Sequence, residues 1–135
     1  LGCNMSLLSC FLLKEAHATA ALAVDADHKI LKAAEQISFG FGVKPVLMQK
    51  NFDDKDDWET SLVEFKPDIV FALNVLNWVR DKQRFLTFLG RFNEVIFEGH
   101  ESFDIESERL RAVGFQTVDM ISISERGRQI IHCKK

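Results

Sequence analysis

The sequence predicts an α/β domain built on a doubly wound, mostly parallel sheet in three αβα layers, closed by a C-terminal antiparallel hairpin. Three observations predict it. Short apolar runs alternate with stretches of helical periodicity along most of the chain. The apolar runs end, one after another, in polar or acidic residues. The last two strand-like runs, 115–123 and 129–133, are separated only by Ser124-Glu125-Arg126-Gly127-Arg128, which reads as a hairpin loop.

Each element follows in order. Met5, Leu8, Phe11 and Leu12 recur at helical spacing up to Lys14-Glu15, after a Gly-containing turn at residues 1–4. Residues 20–24 form a short apolar run ending at Asp25, a length that suits a buried parallel strand. Asp27 is a good N-cap for a second helix with Ile30, Ala33, Ala34 and Ile37 on one face, stopped by Gly40 and Gly42. Val46-Leu47-Met48 reads as a strand ending at Asn51-Phe52-Asp53-Asp54. Trp58, Leu62 and Phe65 line a short third helix with acidic residues at its start, as the helix dipole favours, and Lys66-Pro67-Asp68 breaks it. Residues 69–73 are the clearest buried strand. Asp81 caps a helix carrying Phe85, Leu86, Phe88 and Leu89; Val95-Ile96-Phe97 is a strand ending at Glu98-Gly99-His100. A helix over 103–113 stops at Gly114. Such alternation requires parallel strands with right-handed crossovers.

Composition narrows the function classes. With 135 residues the chain fits one domain, and 47% hydrophobic with 27% charged residues argues against disorder. Twelve Phe and no Tyr suggest a dry, well-filled core. A net charge of -3 and a pI near 5.8 give no basic footprint for nucleic acid. Cys3, Cys10 and Cys133 have no zinc spacing and read as reduced thiols of a cytoplasmic protein. His17, His28, His100 and His132 are scattered, so no metal is expected. No apolar run approaches the ~18 residues of a membrane span.

In open α/β sheets ligands sit at the carboxyl ends of strands, so the residues there are the candidate site. Leu1-Gly2-Cys3-Asn4-Met5-Ser6 precedes a helix, where a Gly admits a ligand to the backbone and free N–H groups await it. Asp25 follows by ~20 residues, the usual spacing of a ribose-binding acid. Asn51-Phe52 can hydrogen-bond and cover an adenine edge. Leu73-Asn74 ends the fourth of these segments, followed by Asn77-Trp78. Singly, Asp25 also reads as a solvated loop acid, Asn74 as a cap and Trp78 as a packing residue. Their occurrence at successive strand ends is what carries weight.

The set resembles the class I S-adenosylmethionine-dependent methyltransferases. Residues 1–6 are similar to the tail of that family's glycine-rich first motif, Val24-Asp25 to its ribose acid, and Asn51-Phe52 to its adenine-contacting pair. Residues 68–76, Asp-Ile-Val-Phe-Ala-Leu-Asn-Val-Leu, resemble its fourth-strand motif, and the terminal hairpin its sixth and seventh strands. The resemblance spans essentially the whole chain. It implies S-adenosylmethionine as methyl donor, held by Gly2, Cys3, Asn4, Ser6, Asp25, Asn51, Phe52, Leu73 and Asn74. Asn4 and Ser6 stand where glycines are usual; Asn tolerates left-handed backbone and Ser is small, so the turn survives. Asn51 replaces an acid, and its carbonyl can still accept from the adenine amino group. The family's central first strand is missing, so residues 1–135 are expected to be a single methyltransferase-like domain truncated at its N-terminus, with native protein upstream of Leu1.

Methyl transfer from a sulfonium needs alignment and exclusion of water, with a base only where the acceptor must lose a proton. Acceptor contacts are expected from Asn77 and Trp78, with Glu98 and His100 as tentative catalytic groups on the same rim and His100 as base. Arg126 and Arg128 in the hairpin loop can hold an anionic acceptor, although a solvated turn is the plainer reading. The expected acceptor is a small molecule or glycan. A homodimer through an open sheet edge is a further expectation. Two other functions fit the fold class: a non-catalytic methyltransferase-like interaction domain, and an NAD(P)-dependent oxidoreductase. The second lacks a full Gly-x-Gly-x-x-Gly and any Tyr proton donor.

Overall fold

The computed structural model describes residues 1–55 and 57–135 and divides into two compact units, Leu1–Phe52 and Asp53–Lys135. The first unit runs α1 (Leu7–Lys14), β1 (Leu22–Asp25), α2 (His28–Phe41) and β2 (Val46–Gln49). β1 and β2 pair in parallel from Leu22↔Val46 to Asp25↔Gln49. Parallel strands need a crossover, and α2 supplies it. Its core face is Leu31, Ala34 and Ser38, at i, i+3 and i+7. The Ser38 hydroxyl donates to the Ala34 carbonyl at 2.7 Å and lies 3.3 Å from Cys10 Sγ of α1, which seats the two helices together.

Helix ends obey capping chemistry. Asp27 accepts from the Lys29 amide at 2.8 Å, as its residue type predicts. Gly42, at φ 70°, closes α2. Gly40, expected to share in the stop, lies inside the helix, because only Gly42 turns left-handed. α1 begins at Leu7 rather than at Met5, since Asn4 (φ 50°) and Ser6 (φ 60°) hold left-handed backbone that no helix continues.

The second unit runs α3 (Glu59–Glu64), β3 (Val70–Ala72), a 3-10 turn at Leu76–Trp78, α4 (Lys82–Leu89), β4 (Glu94–Glu98), α5 (Phe103–Ala112), β5 (Thr117–Ile123) and β6 (Gln129–Lys134). Its sheet has the order β3-β4-β6-β5, with β3·β4 parallel and β6 antiparallel to both neighbours. The hairpin therefore inserts its second strand between β4 and β5. Asp81 caps α4 through the Arg84 amide, at 2.9 Å. The core is aromatic: Phe88 meets Trp58 and Phe92 edge to face, with centroids 4.7 and 5.0 Å apart. The expectation of a dry phenylalanine core holds for Phe85, Phe88, Phe97 and Phe115, whereas Phe11, Phe39 and Phe41 are exposed.

The strands thus form two separately hydrogen-bonded sheets, where one doubly wound sheet was expected. β1 and β3 each pair with one strand, and no described strand lies on their second edges. On β1 that edge is partly used. The Ala21 and Asp25 carbonyls face β2, so the intervening Val24 carbonyl faces the other way, where the Cys3 amide reaches it at 2.8 Å. Among the described residues, no helix is long and apolar enough to cross a membrane.

Phe88 is fully buried and Phe39 is 88% exposed. In urea unfolding, Phe88→Ala is expected to cost about 3–5 kcal/mol and Phe39→Ser less than about 0.5 kcal/mol. A comparable loss for both would contradict this placement of the core.

Candidate functional site

In the first unit, the turn before α1 is fastened to the end of β1. Gly2, Asn4 and Ser6 all have positive φ, near 50–60°, which turns the backbone back on itself. The Asp25 carboxylate holds this turn: Oδ2 accepts from the Asn4 amide at 2.9 Å, and Oδ1 from the Asp27 amide at 3.1 Å. One side chain thereby joins the first turn to the start of α2. The Ser6 hydroxyl is buried with no hydrogen-bond partner among the described residues. Burial, reinforced by the Asp25 charge, pushes the Cys3 thiol up to about 11, so it stays protonated at neutral pH and is no nucleophile. At the end of β2, Asn51 is exposed and Phe52 is buried.

In the second unit, polar groups converge past the ends of β3 and β4. Asn74 follows β3 in left-handed backbone, φ 54°, which Asn tolerates better than most residues. Its Oδ1 meets His100 Nε2 at 3.3 Å and accepts from Arg128 Nη1 of the hairpin loop. Arg128 Nη1 also lies 3.9 Å from Glu98 Oε1, which accepts from the Ser124 hydroxyl at 3.1 Å. Arg128 thus directs Nη1 to Asn74 and toward Glu98, while Arg126 is exposed at the hairpin tip. Asn77 and Trp78 are exposed on the 3-10 turn, Trp78 to 79%. His100 Nδ1 is buried without a partner among the described residues. The imidazole is held below its ordinary value by burial first and then by the Arg128 charge, against the opposing pull of Glu98 and Glu106; Lys82 adds to the lowering.

Glu106 is the residue that sequence reasoning missed. It is fully buried, and its Oε1 accepts from the His100 and Glu101 amides at 3.0 and 3.1 Å. A signal was present: Phe103, Glu106 and Leu110 share one face of α5 at i, i+3 and i+7, and an acid on an apolar face needs buried donors. Gly99 packs close beside it: a Cβ there would stand 3.0 Å from Glu106 Cγ, tighter than ordinary contact. No group of three or more His, Cys, Asp or Glu among the described residues is placed to hold a metal.

No protein-family model and no curated protein sequence matches the chain. Solved structures do. EvdMO1 superposes with a TM-score of 0.77 at 15% identity, over 98% of this chain and 35% of that one. The methyltransferase domain of the bacterial protein CtHen1-CN gives 0.74 at 16%, over 99% and 87%. The S-adenosylmethionine-dependent methyltransferase SibL, in its apo form, gives 0.74 at 11%, over 99% and 48%. The chain therefore spans about a third of EvdMO1 and about half of SibL. It has the fold of the class I S-adenosylmethionine-dependent methyltransferases, and at these identities the likeness concerns the fold alone.

Because the folded state disfavours His100 protonation, the unfolded chain binds that proton more tightly. The stability this contributes is present above the ordinary imidazole value and is lost as pH falls through it toward the lower folded value. An NMR titration of His100 is expected to give a midpoint below about 6.5, and His100→Gln to weaken the acid-side loss of urea stability. A midpoint above that value would contradict the geometry.

Proposed function

We propose that the chain transfers a methyl group from S-adenosylmethionine to a small-molecule or glycan acceptor. The observation that carries this reading is the left-handed turn at residues 2–6, fastened to Asp25 at the end of the next strand. The residues fit the donor. A carboxylate offers about four lone-pair sites; the Asn4 and Asp27 amides take two, which leaves capacity for ribose hydroxyls. Gly2, Cys3, Asn4 and Ser6 would lie along the donor, with Asn51 toward the adenine amino group and Phe52 behind it. When bound, S-adenosylmethionine supplies an electrophilic methyl group on a sulfonium.

The second unit carries candidate acceptor contacts of its own. Asn77 and Trp78 present polar and aromatic surface to an acceptor, and Arg126 adds an exposed cation. Glu98 and His100 hold the polar network. His100 was expected to be the base, but one ring nitrogen lies against Asn74 and the other is buried. We therefore give it no role as base, its ring being held against Asn74. Methyl transfer tolerates this, since alignment and exclusion of water supply most of the acceleration.

The test is thermal unfolding with and without S-adenosylhomocysteine, for the wild type and Asp25→Ala. At ligand near 100 times its dissociation constant, linkage gives about 2.7 kcal/mol of stabilisation. A rise of several degrees in the wild-type midpoint is expected, mostly erased in Asp25→Ala. No rise in the wild type would leave the fold serving another ligand or a protein partner.

A further inference from the structure

We infer that Arg128 is a positioning residue: it fixes the orientation of the Asn74 amide and, through it, the His100 ring, so that Asn74 turns its NH2 group to the acceptor. A guanidinium only donates, so the atom of Asn74 that faces Arg128 Nη1 must be the carbonyl oxygen, and the amide orientation is settled. An amide oxygen only accepts. His100 Nε2, 3.3 Å from the same atom, must therefore carry the proton. Nδ1 is left with a lone pair in a buried position, where a second proton would find no acceptor among the described residues. The neutral imidazole that this geometry demands agrees with the direction in which burial and Arg128 move it.

With Oδ1 taken twice, the recognition capacity left to Asn74 is its Nδ2. That group has no hydrogen-bond partner among the described residues, and Asn74 is half-buried. Asn74 thus meets its ligand as a donor. This suits an acceptor whose reacting end offers a lone pair, such as a hydroxyl or carboxylate oxygen, and disfavours one that can only donate, such as an ammonium or guanidinium. Arg128 is itself aimed from the hairpin: its amide lies 3.3 Å from the Ser124 hydroxyl, which also donates to Glu98. The role toward an acceptor rests on the proposed methyl transfer; the Arg128–Asn74–His100 arrangement does not.

The test is solution NMR of the full 15N-labelled chain at neutral pH. In the wild type, a His100 ring N–H signal on Nε2 is expected, protected from exchange by the Asn74 oxygen. Arg128→Gln and Asn74→Ala should each abolish it while the backbone spectrum stays dispersed. Asn74→Asp should keep it, because a carboxylate accepts from both partners. Absence of the signal in the wild type, protonation on Nδ1, or persistence of the signal in Arg128→Gln would each overturn the inference. If the ring proton behaves as stated but S-adenosylhomocysteine leaves the wild-type melting midpoint unmoved, the methyltransferase reading fails and the positioning by Arg128 stands.

Discussion

The candidate site in each unit depends on one buried or half-buried carboxylate accepting two backbone N–H groups. Turns at strand ends leave amides without ladder partners, and such groups are costly if unpaired. Asp25 accepts from Asn4 and Asp27 in the first unit, and Glu106 from His100 and Glu101 in the second. Charge-assisted bonds of this kind contribute about 1.5–3 kcal/mol each. They hold left-handed and irregular backbone where helix or strand geometry is not available. Asp25 fixes the turn before α1; Glu106 fixes the loop that carries His100.

From these two anchors the polar chemistry is ordered outward. Glu106 sets the His100 backbone, and the His100 ring meets Asn74. The hairpin loop returns Arg128 to the same oxygen, braced by Ser124 and Glu98. The antiparallel pairing of β6 with β4 makes that return possible: Glu98 stands opposite Ile130, so the loop before β6 lies at the end of β4. The terminal hairpin therefore does more than complete the sheet, since it carries a residue of the site.

Much of this was legible in the sequence, because local chemistry dictates it. Asp27 and Asp81 cap helices as their residue types require, Gly42 and Gly114 take positive φ, and the hairpin closes over residues 124–128. Asp25 could be singled out by its place at a strand end. What was not legible depends on partners distant in sequence. The engagement of Arg128 by Asn74, 54 positions away, leaves no local pattern. The burial of Glu106 left only a faint one. The 3-10 turn at Leu76–Trp78, just after the left-handed Asn74, is too short to show a helical period. The bulge between Met120 and Ser122 of β5, with Ile121 exposed, breaks the alternation on which strand reading relies.

The central claim is that the turn on Asp25 receives the donor, and chemical-shift mapping with S-adenosylhomocysteine tests it most directly. The account expects the amides of Gly2, Asn4, Ser6, Asp25 and Asn51 to move on titration and to saturate together. A different cleft exists, of about 340 Å³, lined by Val63, Lys66, Pro67, Asp68, Arg91, Phe92 and Asn93. Shifts confined to that cleft, or no saturable shifts at residues 2–6 and Asp25, would contradict it.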